Sequence, residues 1–350
     1  MSFRILGTGS ALPEHTVTND ELSEFLDTSD EWIRTRTGIE SRRVCTTETL
    51  DDLAEAAARR ALEAAGVAPV ELDLIVCSTV TSDHLMPAEA CAVAERIGAA
   101  CPAFDVSAAC AGFVFALDVA EGWFARGRAR RVLVVSAEKM SRVLDWTDRA
   151  TCVLFGDGAA AAVLGEGGES PLFLALSTRP DVASLDIPGV AGTSPFDECE
   201  RRPSTLVMDG RRVFRFGVNA VVDAVRAMCA GADVEPGEVG HFVFHQANER
   251  ILSSAVQRLG LDPERVAHTL AATGNISSAC IPLALDRLAR AGELVPGELV
   301  ALVGFGGGLD VGSCLLRWEP ATDARAGAAA VAKAAEALPA APAAEVASTP

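Results

Sequence analysis

No apolar run in this 350-residue chain approaches the roughly 18 residues that a membrane-crossing helix needs, so the sequence offers no candidate span. Cys-x-x-Cys pairs are missing among its ten cysteines, and the five histidines are dispersed without ligand spacing, which argues against a zinc site or any other metal. Positive charge is scarce: 30 Lys and Arg face 48 Asp and Glu, a formal net charge of −18. Such a balance repels nucleic acid and anionic membrane as a whole and favours solubility. Tyrosine is absent altogether, and no functional consequence can be read from that. No signal peptide is expected either, because Met1-Ser2-Phe3-Arg4-Ile5-Leu6-Gly7 reads as a strand entering a glycine turn. With Cys77, Cys91, Cys101, Cys229, Cys280 and Cys314 set in apolar runs, the expectation is a cytoplasmic protein whose thiols are reduced and buried.

The chain is rich in core material. Hydrophobic residues make up 49%, and the length suits one large domain or two fused ones. An internal echo favours fusion. Helix end, proline turn and strand follow one another in Ala61–Cys77 and again in Ala227–His245, with Pro69 and Pro236 at the same offset from Glu71 and Glu238. Gly156-Asp157-Gly158 before Ala159–Leu164 is echoed by Gly306-Gly307-Gly308 before Val311–Leu316. The pattern predicts helices near Asp51–Ala65, Ala88–Ile97, Ala111–Ala125, Val213–Ala230, Glu249–Leu259 and Ile281–Ala291. Strands are predicted near Leu74–Val80, Ala103–Val106, Arg131–Ser136, Ala159–Leu164, His241–Phe244, Leu299–Val303 and Ser313–Trp318. The expected units are an N-terminal half, 1–170, and a C-terminal half, 171–319. An Ala/Pro-rich tail, 320–350, is too poor in core residues to pack.

Cys110 stands where the β-rich run Ala103–Val106 gives way to small residues and then to a helical pattern from Phe113. That strand-to-helix elbow puts the thiol at the positive end of a helix, where a lowered pKa favours the nucleophilic thiolate. A cysteine there is also a small buried hydrophobe, and the segment alone does not separate the two readings. Partners tip the balance. His245 ends an apolar β-type run, and Asn275 follows Thr273-Gly274 where a loop opens onto a helix. Cys, His and Asn far apart in sequence are the usual ingredients of thiol nucleophilic catalysis. Strand alternation does not separate His245 from His241; only the strand-end position favours His245. Gly306-Gly307-Gly308 offers backbone N–H groups unobstructed by side chains, as an oxyanion hole requires, and serves equally as a tight turn. Arginines gather at Arg201-Arg202, Arg211-Arg212 and Arg215, then Arg250 and Arg258, although each alone reads as solvated surface.

Taken in order, these segments resemble β-ketoacyl-acyl-carrier-protein synthase III, a family of the thiolase superfamily. The resemblance spans roughly residues 3–318. It adds Gly7-Thr8-Gly9-Ser10-Ala11-Leu12-Pro13, the specific run Asp27–Ile39 (DTSDEWIRTRTGI), Thr147-Asp148-Arg149, Phe155-Gly156-Asp157-Gly158-Ala159 and His245-Gln246-Ala247-Asn248. The fold it implies is α/β, a five-layered α-β-α-β-α sandwich of two duplicated halves, usually a homodimer. The implied reaction is a decarboxylative Claisen condensation that starts fatty-acid or polyketide chains. Cys110 takes the acyl group of an acyl-CoA, with the N–H groups of Cys110 and Gly307 holding the oxyanion. Malonyl on acyl-carrier protein then loses CO2, and His245 and Asn275 stabilise the enolate. No cofactor is implied, since a thioester enolises readily. CoA recognition is implied for Thr28, Trp32, Arg36 and Arg149, the indole stacking on adenine. Acidic carrier protein would dock on Arg215, Arg250 and Arg258, Arg250 foremost.

Some positions depart from the family pattern. Met86 stands where an aromatic lining the partner subunit's acyl pocket is usual. Leu309-Asp310-Val311 replaces a frequent Phe-Thr-Trp, and Ile276 replaces a common Thr. A flexible Met and smaller neighbours admit a primer larger than acetyl; repacking or neutral drift would leave the pocket unchanged. The competing activity is a non-decarboxylating acyltransferase, which moves the acyl group from a thioester to an alcohol or amine. Asn275 argues against it, because simple transfer needs no enolate stabiliser. An idle binding subunit and a hydroxymethylglutaryl-CoA-type condensation rank lower, given the complete Cys–His–Asn set and the Asp27–Ile39 run.

Overall fold

Two sheets, each buried on both faces, organise the chain. The computed structural model describes residues 2–189, 196 and 204–321. Arg201-Arg202 and all but the first two residues of the expected tail, 320–350, lie outside the described residues.

The first half contains β1 (Phe3–Ala11), α1 (Asp30–Thr37), α2 (Leu50–Ala65), β2 (Leu74–Ser78), α3 (Glu89–Ile97), β3 (Ala103–Val106), α4 (Gly112–Ala125), β4 (Arg131–Lys139) and β5 (Asp157–Glu166). Its sheet runs β1-β5-β4-β2-β3, antiparallel at the first two junctions and parallel at the last two. The second half contains β6 (Phe173–Thr178), α5 (Gly210–Ala232), β7 (Val239–Phe244), α6 (Glu249–Leu259), α7 (Cys280–Ala291), β8 (Leu299–Gly306) and β9 (Asp310–Arg317). Its sheet runs β6-β9-β8-β7 with the same senses: antiparallel, antiparallel, parallel. A single parallel bridge, Phe242 to Val266, stands where the first sheet has β3. The two halves therefore repeat one strand order.

Side-chain alternation builds the layers. Leu74 and Val76 point inward to a central core with Phe113 and Leu117 of α4, Ile281 and Leu285 of α7, and Val300 and Leu302 of the second sheet. Ile75 and Cys77 point outward, against Leu53 and Ala57 of α2 and Val93 of α3. On the far side, Phe242, Phe244 and Val303 meet Val221 and Val225 of α5 and Ile251 of α6. The result is the five-layered α-β-α-β-α sandwich, with α4 and α7 enclosed between the sheets. Among the described residues no helix is long and apolar enough to cross a membrane.

Local chemistry sets the helix ends. Thr49 caps α2 through the Asp52 N–H in a reciprocal capping box, and Gly66 ends it with φ 65°. Asn248 caps α6 through the Arg250 N–H, and Gly260 ends it. By contrast, α4 has no side-chain cap, and a 3-10 turn at Ala109–Ala111 that contains Cys110 leads into it, the Gly112 N–H donating to the Ala109 carbonyl.

Several boundaries differ from the sequence reading. Phe3-to-Gly7 does not end in a turn, because β1 continues through Gly7 and Gly9 to Ala11. These glycines let the strand lie directly on α2: a Cβ at Gly9 would sit 2.4 Å from the Ala57 carbonyl oxygen and from the Ala61 nitrogen. Gly9→Ala is accordingly expected to destabilise the protein by about 1–3 kcal/mol or more through overpacking against rigid backbone, read as a lower denaturant midpoint; an unchanged midpoint would contradict the contact. Cys91 and Cys101 are half-buried rather than core residues.

Candidate active site

A cavity of about 780 Å³ opens between the halves, and its lining brings Cys110, His245, Asn275, Gly306 and Gly307 together. Each arrives on a different element. Cys110 sits in the turn between β3 and α4, His245 follows β7, Asn275 lies in the loop before α7, and the glycines end β8. Gly306 has to be glycine, since a Cβ there would come within 2.8 Å of the Cys110 nitrogen and 2.9 Å of its Cβ. Among the described residues the backbone N–H groups of Cys110 and Gly307 have no backbone acceptor outside the regular elements.

Asn275 is held by its own main chain. Its N–H donates to the Leu154 carbonyl at 2.8 Å, and its carbonyl accepts the Gly156 N–H at 3.1 Å. The Phe155–Ala159 motif thus forms a strap for the Asn275 loop, and Asp157 anchors the strap by accepting from the Cys45 and Ser141 N–H groups at 2.8 Å each. The Ser277 N–H donates to Asn275 Oδ1 at 2.8 Å. With Oδ1 committed as acceptor, the Nδ2 group is the end left to donate.

His245 is 1% exposed and packs edge-on against Phe305 with ring centroids 5.2 Å apart. Burial pushes its pKa down to about 3, so the imidazole is neutral at physiological pH, and its Nδ1 has no protein partner. Gln246 steadies the next residue: its amide donates to the Phe244 and Ala267 carbonyls while its oxygen accepts the Thr269 N–H at 2.9 Å. His241 is not in the cavity; its Nδ1 lies 3.4 Å from Glu298.

The expected low thiol pKa is corrected. Burial dominates at Cys110 and pushes its pKa up to about 12, with Ser277 acting in the opposite direction and the Glu138 charge adding to the rise. A helix N-terminus does not offset the desolvation of a thiolate in so apolar a setting. The cavity therefore holds a neutral thiol, a neutral imidazole, a neutral amide donor and the backbone N–H groups of Cys110 and Gly307. Such a set suits attack on a thioester and stabilisation of a developing oxyanion. Two residues of this neighbourhood escaped the sequence reading. Ser277 touches Cys110, at 3.6 Å between Sγ and Oγ, and Glu138 lies behind it. The available signal for Glu138 was a lone acid separated by Ala137 alone from the predicted strand Arg131–Ser136.

The remaining candidates surround the entrance. Trp32 and Arg36 line the cavity, one turn apart on α1. The Arg36 guanidinium lies 4.5 Å and that of Arg149 5.2 Å from the Trp32 ring centre. Arg149 also bonds the Asp27 main chain and carboxylate. Thr28 Oγ1 is shielded from solvent and has no protein partner. Arg215 is exposed on α5, and Arg250 and Arg258 are exposed on the adjoining α6, Arg258 donating to Asn219 Oδ1 at 2.9 Å. Met86 is 88% exposed and does not line this chain's cavity, whereas its neighbour Leu85 does. Among the described residues no group of three His, Cys, Asp or Glu is placed to hold a metal ion.

Comparison with known proteins gives a consistent result. Residues 104–181 match the family model for 3-oxoacyl-[acyl-carrier-protein] synthase III, and residues 229–318 match the model for that enzyme's C-terminal part. The β-ketoacyl-[acyl-carrier-protein] synthase III of Alkalilimnicola ehrlichii is 46% identical over 321 residues, covering 90% of this chain and 99% of that protein. Its namesake in Clostridium acetobutylicum is 42% identical over 323 residues, 91% of this chain and 99% of that one. Among solved structures, 3-oxoacyl-[acyl-carrier-protein] synthase III from Aquifex aeolicus superposes with a TM-score of 0.84 at 39% identity, covering 91% of this chain and all of that one (100%). The priming β-ketosynthase of the R1128 polyketide pathway gives 0.84 at 42% identity, covering 91% and 96%.

Proposed function

This chain belongs to the 3-oxoacyl-[acyl-carrier-protein] synthase III family, and on that premise we propose that it condenses an acyl-CoA primer with malonyl-acyl-carrier protein through an acyl-Cys110 intermediate. Cys110 attacks the thioester carbonyl, the N–H groups of Cys110 and Gly307 hold the tetrahedral oxyanion, and CoA leaves. Malonyl-carrier protein then binds and loses CO2. The enolate oxygen accepts hydrogen bonds from His245 and Asn275 while its carbon attacks the acyl-enzyme, giving 3-ketoacyl-acyl-carrier protein and the Cys110 thiolate, which takes a proton from solvent. Two uncharged partners suit this step, since neither repels the enolate and neither has to lose a charge first. The observation that carries the reading is the orientation of Asn275, whose committed Oδ1 leaves Nδ2 as a donor beside the nucleophile. An acyltransferase acting on an alcohol or amine would have no use for it.

In this reading Trp32, Arg36, Arg149 and the partnerless Thr28 hydroxyl receive the adenine and phosphates of CoA, and Arg215, Arg250 and Arg258 receive the acidic carrier protein. A homodimer is part of the proposal, with the exposed Met86 passing to a second copy, whose acyl pocket it lines. The enzyme works in the cytoplasm and takes no cofactor beyond its substrates. Initiation of polyketide chains with an unusual starter is the second reading, favoured by the 42% identity to a priming ketosynthase and by Ile276 and Met86.

Incubation with a panel of acyl-CoAs, then malonyl-carrier protein, tests all of this by intact and peptide mass spectrometry. Acylation at Cys110 followed by a 3-ketoacyl carrier product is expected. Preference for acetyl indicates fatty-acid initiation, and preference for a longer or branched group indicates a specialised starter. Acylation without condensation would overturn the Claisen assignment.

A further inference from the structure

Behind the nucleophile lies a carboxyl group that the condensation leaves unused. Glu138, at the end of β4, is completely buried, and every group it bonds is neutral. Oε2 accepts the Val80 N–H at 3.2 Å and the Thr81 hydroxyl at 2.6 Å; Oε1 accepts the hydroxyls of Ser277 at 3.1 Å and Ser278 at 2.9 Å. A hydroxyl has one proton. With that proton given to Glu138, Ser277 Oγ presents only lone pairs to Cys110 Sγ, 3.6 Å away, so the thiol has to be the donor there. The backbone is bent on both sides of this contact: Ser277 has φ 50° and Ala109, beside Cys110, has φ 44°, left-handed values that cost side-chain-bearing residues energy.

We infer that Glu138 accepts the Cys110 thiol proton through the Ser277 hydroxyl, and so acts as the positioning and proton-storing residue of the nucleophile. Two hops complete the step. The S–H bond breaks as a proton joins Ser277 Oγ, and the original Ser277 proton passes to Glu138 Oε1. The product is a Cys110 thiolate that accepts a hydrogen bond from Ser277, backed by a neutral carboxylic acid. One negative charge is present before and after; it moves from carboxylate to sulfur. Four hydrogen-bond donors hold Glu138 as a carboxylate while burial raises its proton affinity, which makes it a ready acceptor. Transfer to His245 would instead create an imidazolium where burial holds the ring neutral. The other titratable groups around Glu138, the Cys77 and Cys280 thiols, are kept protonated by burial and do not compete. During acylation the departing thiolate of the thioester takes up the stored proton; this half-step rests on the function proposed above.

The test needs no substrate. The rate of Cys110 alkylation by iodoacetamide is measured against pH for the wild type, Glu138→Gln, Glu138→Asp and Ser277→Ala. Glu138→Gln and Ser277→Ala are expected to slow alkylation at neutral pH by about 100-fold and to displace its pH profile upward, with Glu138→Asp recovering part of the rate. If Glu138 were only a fixed negative charge, its removal would ease thiolate formation and alkylation would accelerate. That acceleration, or an unchanged rate, overturns the inference. Should Glu138→Gln fail to fold, Ser277→Ala carries the test alone, because it breaks the relay without touching the carboxyl group. A wild type that alkylates as expected yet takes no acyl group from acyl-CoA would overturn the proposed function and leave the relay standing.

Discussion

Asn275→Asp is expected to lower malonyl decarboxylation and condensation by at least about 10²–10³-fold, the loss typical of removing one oxyanion-hole donor. Aspartate is the sharper probe because it separates two jobs of this side chain. Its Oδ1 still accepts the Ser277 N–H, so the loop before α7 keeps its shape, while the donor at Nδ2 becomes a second acceptor. The enolate then faces a carboxylate instead of an amide, and repulsion adds to the lost hydrogen bond. Acylation of Cys110 draws on the backbone N–H groups and falls much less. Separate assays of acyl transfer to Cys110 and of CO2 release from malonyl-carrier protein read the two steps. Equal losses in both would mean that Asn275 only shapes the cavity, and the enolate role would fall.

His245 makes a related point about pH. Its folded-state pKa of about 3 lies below the unfolded value, so the folded protein favours the neutral ring. The stabilisation from this difference is fully present above the unfolded pKa of about 6.5 and is lost as pH falls toward the folded value. Acid unfolding curves should therefore begin to lose stability below neutral pH, and His245→Gln should flatten that part of the curve. A variant curve of unchanged shape would show that His245 does not drive the early loss.

The positions of most strands were legible because their cause is local. The apolar run Leu299–Gly306 lies between Pro296-Gly297 and Gly307, Leu74-Ile75-Val76-Cys77 is an unbroken apolar run, and the Pro69 and Pro236 turns each lead into the strand that follows. The strand Phe173–Thr178 was missed because its residues are only partly covered and then exposed, leaving no clean alternation. Gly7 and Gly9 misled for a different reason: a glycine in a turn and a glycine under a helix look alike in sequence, and only the distance to α2 separates them. At the site, Cys110, His245 and Asn275 stood at strand or loop ends and could be picked out. The thiol's pKa could not, since desolvation is set by the whole enclosing cavity rather than by the turn that presents the sulfur. The same holds for Glu138, whose partners come from two segments far from it in the chain, Val80-Thr81 and Ser277-Ser278.

Arg42→Met is expected to destabilise the protein by about 3 kcal/mol, a large loss for an uncharged replacement of similar bulk. Arg42 is fully buried, and burial lowers its pKa only to about 10, so it stays charged at neutral pH. Its guanidinium donates to Asn19 Oδ1 at 2.8 Å, to the Val153 carbonyl at 2.9 Å and to the Val17 carbonyl at 3.2 Å. Methionine leaves all three acceptors without that donor; the relief of desolving one guanidinium offsets part of the cost. The effect should reach the site from two sides. Asn19 also donates to Asp30 and to the Ile39 carbonyl, which bracket the helix carrying Trp32 and Arg36. The Arg42 Cβ packs beside Gly156 and Gly274, the glycines that flank the strap and loop holding Asn275. Weaker acyl-CoA binding and slower condensation should therefore accompany the lower denaturant midpoint. An unchanged midpoint would mean that water or a local shift satisfies the orphaned carbonyls. A lower midpoint with unaltered kinetics would show that Arg42 secures the fold without setting the position of Asn275.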